Sequence, residues 1–317
     1  MSDVETLVQR IEAIGWRAAV VPFARRSEAV AQVVARHERG ELDEAFYQEY
    51  LAPLLAEPVP ERPTPRSLIL VAAPERPVRL RFTLDGESIP VIVAPGYVRR
   101  PRRPVVEVVA EILAPLGFSA ARVDGPQKTM ATLSGFARYG RNNLAYVEGL
   151  GSLCALASLV SDLPCDEEPA HEQARLARCQ ACRSCCAACP TGAIAEDRFL
   201  LRAERCLSFW NERSPEVAFP AWIDPSWHNA LFGCLLCQQA CPENRACLAE
   251  TIDGPRFDEE TTRALLAGTT LESVPEAARS TLEEWRLAQL LDYLPRNLGV
   301  LVPRARLRER GQDKEGP

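Results

Sequence analysis

The 317-residue sequence predicts a mixed α+β fold, in which an α/β region is followed by a cysteine-rich block and a short helical C-terminus. Strand-like apolar runs alternate with helical periodicity over residues 67–164, helical periodicity returns after residue 259, and all 12 cysteines lie between Cys154 and Cys247. We expect four units: N-terminal helices with a proline-rich connector (1–66), an α/β domain (67–164), a cysteine block (165–250) and a helical C-terminal segment (251–317).

Apolar periodicity and turn residues assign the individual elements. A continuous apolar run predicts a buried strand, strict alternation predicts a half-exposed one, and Asp85-Gly86 predicts a hairpin turn. Strands are expected at 67–73, 78–84, 89–93, 119–123 and 152–160. Helices are expected at 4–14, 27–55, 105–116, 259–266, 273–291 and 294–310.

The composition excludes several functional classes. Lys+Arg is 37 and Asp+Glu is 43, so the formal net charge of −6 argues against a general nucleic-acid coat and against a polybasic membrane binder. The longest apolar run, residues 149–160, is shorter than the roughly 20 residues that a membrane helix needs, and the N-terminus lacks the apolar stretch of a signal peptide. We therefore expect a cytoplasmic protein that does not bind membranes, in which clustered cysteines hold metal or perform redox chemistry.

Two cysteine motifs carry the chemistry. The first has the bacterial ferredoxin spacing of two, two and three intervening residues, ended by proline: Cys179, Cys182, Cys185, Cys189 and Pro190. The second repeats the end of that pattern in Cys234, Cys237, Cys241 and Pro242. It lacks the first cysteine, because Leu231 stands there, and Cys206 is the natural replacement.

In two-cluster ferredoxins the fourth cysteine of a motif ligates the other cluster. The cysteines then divide into two sets of four, each suited to one 4Fe–4S cluster. The first set is Cys179, Cys182, Cys185 and Cys241. The second set is Cys206, Cys234, Cys237 and Cys189. Zinc is the alternative, since paired cysteines also build zinc ribbons, but the complete spacing and the proline after each last cysteine favour iron–sulfur.

Four cysteines remain outside these sets. Cys154 lies in an apolar strand-like run and is expected to pack as a small hydrophobic residue. Cys186 adjoins a ligand and could compete for iron, although a packed thiol is favoured. Cys165 and Cys247 flank the block without a further signal.

Three stretches together resemble the epoxyqueuosine reductase family and, more distantly, the reductive dehalogenases. They are the double cysteine motif with its displaced Cys206, the glycine-rich stretch from Gly135 through Gly151 to Pro164, and residues 293–301. The resemblance covers about residues 67–302. It implies cobalamin bound beside one cluster, electrons delivered by a donor such as ferredoxin or flavodoxin, and reductive chemistry of the epoxyqueuosine reductase type. The alternative is a ferredoxin-like electron-transfer protein that serves a partner, for example a corrinoid protein, and has no substrate site of its own.

Several polar residues are candidates for the remaining roles. The resemblance implies a proton donor near Asp124, whose Asp-Gly-Pro context equally predicts an ordinary turn. Candidate cofactor-binding residues lie together in the glycine-rich stretch: Arg138, Tyr139, Arg141 and Asn142. A basic run could meet a phosphate or form a solvated loop: Arg99, Arg100, Arg102 and Arg103.

The resemblance also implies a tRNA partner, and two features weigh against it. The family's C-terminal helical repeat region, which helps to hold tRNA, is reduced here to one or two helices. A chain with a net charge of −6 also has less general attraction to an RNA backbone. The resemblance therefore supports a corrinoid-linked double-cluster protein more strongly than it supports a tRNA substrate.

Overall fold

A computed structural model describes residues 2–98, 104–166, 169–248 and 250–312, with side chains up to residue 303. The basic run at 99–103 lies outside these residues. The helices are α1 (Asp3–Glu12), α2 (Ala24–Glu38), α3 (Glu44–Phe46), α4 (Ala52–Ala56), α5 (Val105–Leu113), α6 (Gln127–Leu133), α7 (Ser184–Ala188), α8 (Leu207–Glu212), α9 (Leu236–Gln239), α10 (Glu259–Ala267), α11 (Glu276–Glu284) and α12 (Leu294–Gln312). The strands are β1 (Arg17–Pro22), β2 (Ser67–Pro74), β3 (Val78–Leu84), β4 (Glu87–Val93), β5 (Ala120–Arg122), β6 (Arg138–Tyr139), β7 (Ala145–Tyr146), β8 (Cys154–Ser161) and β9 (Ile252–Phe257).

A four-stranded antiparallel sheet, in the order β1-β2-β8-β5, forms the N-terminal core. Helices cover both of its faces. On β2, Ile69 and Val71 pack with α1 and α5, whereas Leu68 and Leu70 pack with α2 and α6. A strand covered on both sides needs apolar residues at every position, which explains the unbroken apolar run that predicted it.

A second, three-stranded sheet has the order β4-β3-β9. The predicted hairpin is confirmed, and Asp85 and Gly86 turn with φ of 52° and 78°. The alternating strand β3 turns Val78, Leu80 and Phe82 inward, into a core shared with the C-terminal helices.

The mixed α and β fold is confirmed, but four strands were not expected: the two-residue strands β6 and β7, and the longer strands β1 and β9. Residues 17–22 lie in a stretch predicted as helices, yet they form β1 and pair with β2. Residues 252–257 form β9, parallel to β3, although they contain Gly254 and Pro255. Both strands exist because of partners distant in sequence. Sheet pairing thus crosses the predicted boundaries at 66/67 and 250/251.

No helix in the described part of the chain is long and apolar enough to span a membrane.

Candidate metal centre

The seven cysteines of the two motifs, together with Cys206, line two cavities. The first cavity, of about 20 Å³, is lined by Cys179, Cys182, Cys185 and Cys241. The second, of about 270 Å³, is lined by Cys189, Cys206, Cys234 and Cys237. This division is the one that the spacing predicts, with the last cysteine of each motif crossing to the other set.

The local backbone explains the crossing. Short helices α7 and α9 carry Cys185 and Cys237. Each helix ends just before the last cysteine of its motif, and the chain is extended at Cys189 (φ −86°, ψ 105°) and at Cys241 (φ −80°, ψ 122°). Proline follows both cysteines, which disfavours helix at those positions. The last thiol of each motif therefore leaves its own helix and reaches the other cavity.

Four thiols per cavity are the donor set of a 4Fe–4S cluster. Within the described residues, no three His, Cys, Asp or Glu side chains are placed to hold a metal ion directly. A cubane cluster spreads its four ligands around a larger volume than one ion does, so the cavities are the relevant geometry for it.

Arg141 organises the first set. It is 5% exposed, and its guanidinium donates to the backbone carbonyls of Cys182 and Glu196, both at 3.3 Å, and to that of Cys179. The ligand loop is thus tied to one buried cation, and the more exposed Arg183 also donates to its carbonyls, at 3.0 Å to Gln180 and at 3.1 Å to Cys182. Burial raises the pKa of the Cys185 thiol to about 12, whereas hydrogen bonds from Ser184 lower the pKa of Cys182.

The second set lies deeper. Burial raises the pKa of Cys206 to about 11, and it also raises the pKa values of Cys234 and Cys237. The Asn229 amide donates to the Cys234 sulfur at 3.2 Å. Buried thiols resist ionisation without a cation, and a metal ligand must be a thiolate, so the charge of a bound cluster's iron would offset this cost.

Three titratable side chains lie beside the second set: Glu212, Tyr97 and Lys128. The Tyr97 hydroxyl donates to the Glu212 carboxylate, and burial raises the pKa of Glu212. Lys128 donates to the Asn143 carbonyl at 3.3 Å. The Lys128 side chain lines the second cavity. It is therefore in contact with the open space of the cavity, while the surrounding protein still buries it enough to lower its pKa.

The four candidate cofactor-binding residues do not converge on one cavity. Arg138 is exposed and lines a separate cavity of about 240 Å³ with His171 and Glu172. Tyr139 is buried, hydrogen-bonded to Thr129 at 3.2 Å. Arg141 is occupied by the first ligand loop, and Asn142 lines both cysteine cavities.

Asp124 lies outside the cavities described above. Its carboxylate accepts from the Arg122 guanidinium at 2.9 Å and its side chain is 38% exposed. It sits between β5 and α6, where Gly125 and Pro126 complete the turn. The arrangement matches the turn interpretation and does not bring Asp124 to the cysteines.

The other cysteines occupy separate surroundings. Burial raises the pKa of Cys154 to about 12, and the residue packs against an apolar cluster, as expected for a small hydrophobic residue. Cys186 hydrogen-bonds to Cys185 but lines neither cavity. Four residues near the cysteines were not expected from the sequence: Asn229, Lys128, Glu212 and Tyr146. None of them belongs to a cysteine motif, although Asn229 lies five residues before Cys234.

Comparisons with known proteins agree with this geometry. Residues 178–244 match the family described as a 4Fe-4S double cluster binding domain, and this match ends three residues beyond Cys241. The class defined by fold and site is thus that of double-cluster iron–sulfur proteins.

Among curated proteins, the epoxyqueuosine reductase of Pseudomonas aeruginosa is 30% identical over 178 residues, which are 56% of this chain and 46% of that protein. The chain thus spans less than half the length of this relative. An epoxyqueuosine reductase structure from Streptococcus thermophilus matches all of this chain and 87% of that one, with a TM-score of 0.58 and 17% identity. Another, with an epoxyqueuosine-modified tRNA-Tyr stem loop, matches 78% of this chain and 66% of that one, with a TM-score of 0.54 and 19% identity. The predicted resemblance to the epoxyqueuosine reductases is confirmed.

Proposed function

We propose that this chain is an iron–sulfur oxidoreductase of the epoxyqueuosine reductase type, which passes single electrons through two 4Fe–4S clusters. The observation that carries the proposal is the division of eight cysteines into two four-thiol cavities. A match to the double-cluster family over the same residues supports it. When bound, such clusters supply one-electron carriers whose potentials depend on hydrogen bonds, charge and burial.

The chain's own residues have distinct tasks in this function. Arg141 holds the first ligand loop by its carbonyls. Asn229 directs an N–H at the Cys234 sulfur, where it favours the thiolate.

Cobalamin is the acceptor that the resemblance implies, and the residues named for it fit poorly. Tyr139 and Arg141 are engaged in internal contacts, and Arg138 faces a different cavity. Asp124 is paired with Arg122 and lies apart from both cysteine sets. We therefore assign no step to cobalamin. These contacts leave the electron acceptor of the proposed reductase unassigned, and they are the observation that makes the second candidate, an electron-transfer protein that serves a partner, worth testing.

A tRNA substrate would follow from the named relatives. One of the matched structures contains a tRNA stem loop, but that property belongs to the matched protein. The net charge of −6 weighs against general attraction to RNA. We propose a reductive function at this level and leave the substrate class to experiment.

Anaerobic reconstitution tests the proposal. The wild-type protein should contain about eight iron and eight sulfide per chain, as two four-iron clusters require. Iron near zero, or zinc in its place, would overturn the double-cluster function.

A second measurement separates the two candidates. Added cobalamin either yields a cob(II)alamin spectrum under reduction with the reconstituted protein or remains unbound. Binding favours the reductase, and its absence favours the electron-transfer protein. Asp124→Asn should leave cobalamin binding, cluster content and any reductase activity unchanged, because the residue lies apart from the site; a large loss of activity would restore Asp124 as a proton donor.

A further inference from the structure

Asn142 lies between the two cysteine sets. It lines the first cavity together with Tyr146 and the second cavity together with Cys237. Its side chain is buried at 2% exposure, although asparagine is usually found at the surface. A buried amide in this place requires hydrogen-bond partners, and those partners connect the two sets.

The amide has two N–H donors and one acceptor oxygen. Asn142 Nδ2 donates to the Tyr146 hydroxyl at 3.0 Å. Asn142 also lines the second cavity beside Cys237, where a hydrogen bond from its amide lowers the pKa of that thiol against the larger, opposite effect of burial. Asn142 Oδ1 accepts from the Leu144 backbone N–H at 3.4 Å. The amide is thereby held in one orientation.

Tyr146 completes the connection, because it lines the first cavity together with Cys241. Burial raises the pKa of Tyr146, and a hydrogen bond to Cys241 and the charge of that sulfur raise it further. One continuous path therefore runs from Cys237 through Asn142 and Tyr146 to Cys241. It joins one ligand of each set through two uncharged side chains.

The β6–β7 turn leaves space for the side chains of Asn142 and Tyr146. The tight turn between β6 and β7 brings Asn142 under the Tyr146 ring, closed by a bond from the Gly140 N–H to the Leu144 carbonyl at 2.8 Å. A Cβ atom at Gly140 would overlap both the Tyr146 ring and the Asn142 oxygen. Asn143 takes φ of 62°, in the left-handed region that asparagine tolerates better than most residues.

We propose that Asn142 and Tyr146 are positioning residues that bridge the two clusters and raise their reduction potentials. The inference rests on the proposed double-cluster function. Reduction adds negative charge to a cluster, and N–H or O–H donors to its cysteine sulfurs stabilise that charge, so each donor raises the potential. Tyr146 acts on the first set, whereas Asn142 acts on the second set directly and on the first through Tyr146.

Redox titration of the reconstituted protein, followed by electron paramagnetic resonance, tests this assignment. Tyr146→Phe removes one oxygen and should lower the potential of the first cluster while leaving the second unchanged. Asn142→Leu should lower the second potential and, through the freed Tyr146, also the first. Cys206→Ala, measured in parallel, identifies the signals of the first cluster.

Tyr139→Phe is the matched control. Tyr139 is buried in the same hairpin, but its hydroxyl bonds to Thr129 instead of a cysteine. It should leave both potentials unchanged. Equal shifts in Tyr139→Phe and Tyr146→Phe would overturn the proposal, because they would reflect general disturbance of the hairpin.

The outcomes separate this inference from the function on which it rests. Wild-type protein without clusters refutes the double-cluster function itself. Intact clusters with unshifted potentials in Tyr146→Phe refute only the bridge. Loss of one cluster from Tyr146→Phe, with both retained in Tyr139→Phe, supports the positioning role. If Asn142→Leu does not fold, Tyr146→Phe decides the question alone.

Discussion

The two cysteine sets come from similar motifs but are built differently. The first set surrounds a cavity of about 20 Å³, and its ligand loop is tied to the single buried guanidinium of Arg141. The second set surrounds about 270 Å³, and its wall includes Lys128, which is distant in sequence, and Glu212, six residues after Cys206. Similar spacing therefore specifies the ligands, whereas the rest of the fold specifies their surroundings.

This difference has an electrostatic consequence. In the first set, hydrogen bonds from Ser184 lower the pKa of Cys182, whereas burial raises the pKa of Cys179 and raises that of Cys185 to about 12. In the second set, burial raises the pKa values of Cys206, Cys234 and Cys237. Because solvent exposure and charge tune cluster potentials, we expect the two clusters to have different potentials.

The largest effect is expected from Cys206→Ala, which tests whether the sets are separate. The second cavity loses a ligand and the first keeps all four, so iron should fall from about eight to about four per chain. Iron and sulfide analysis with electron paramagnetic resonance measures this. Cys186→Ala is the control and should retain both clusters, because Cys186 lines neither cavity. Full iron content in Cys206→Ala would refute the displaced-ligand assignment.

Arg141→Met should damage the first set selectively. The substitution removes the donor to the Glu196 carbonyl and leaves the Cys182 carbonyl with Arg183 as its donor, at a cost of about 3 kcal/mol for the lost hydrogen bonds from a charged group. The first cluster should be lost at lower denaturant concentration than the second, which cluster absorbance during anaerobic unfolding records. Arg138→Met, at an exposed neighbouring position, should behave like wild type. Equal loss of both clusters would contradict the local role of Arg141.

Gly140→Ala should disturb both sets together, since Gly140 packs against Asn142 and Tyr146 between them. We expect destabilisation of about 1–3 kcal/mol, typical of overpacking, with changed signals from both clusters. Gly299→Ala is the control: nothing lies within 4 Å of a Cβ there, and alanine favours the helix. A Gly140→Ala protein with wild-type stability and spectra would show that the turn has room to adjust.

The difference between the sets also explains what sequence could predict. Ligand spacing is local, so seven of the eight proposed ligands follow from the two motifs, and Cys206 and the division into two sets follow from the two-cluster ferredoxin pattern. The apolar run of β2 and the Asp85-Gly86 hairpin are local signals too, and both are confirmed. In contrast, β1 and β9 form by pairing with strands distant in sequence, and no local sequence pattern predicts them.

The residues around the ligands were harder to predict for the same reason. Asn142 was grouped with Arg138 and Tyr139 as a cofactor contact because the three are neighbours in sequence. The β6–β7 turn separates them, so that Arg138 faces another cavity and Asn142 faces the cysteines. Lys128 and Glu212 carry no motif and reach the second cavity only through the packing of α6 and α8.

The smallest expected effect is on the pH dependence of stability, and it concerns the acid Glu212 beside the second set. Burial raises the pKa of Glu212 above its usual 4.5, so the folded state favours the neutral acid. That contribution is complete below about pH 4.5 and is lost as pH rises through the folded-state pKa, by at most about 1.4 kcal/mol per pH unit. Glu212→Gln keeps an acceptor for Tyr97 and removes the titration, so its unfolding midpoint should fall less than that of wild type as pH rises from about 5 to about 7.5.

Glu196→Gln provides the matched variant at the first set. Glu196 is exposed and paired with Arg183 at 2.9 Å, where solvent screens the interaction. Loss of this exposed pair in Glu196→Gln should change the free energy of unfolding by less than about 1 kcal/mol. A loss well above that value would show that solvent does not screen the pair, and the contrast between an exposed acid beside the first set and a buried acid beside the second would be wrong.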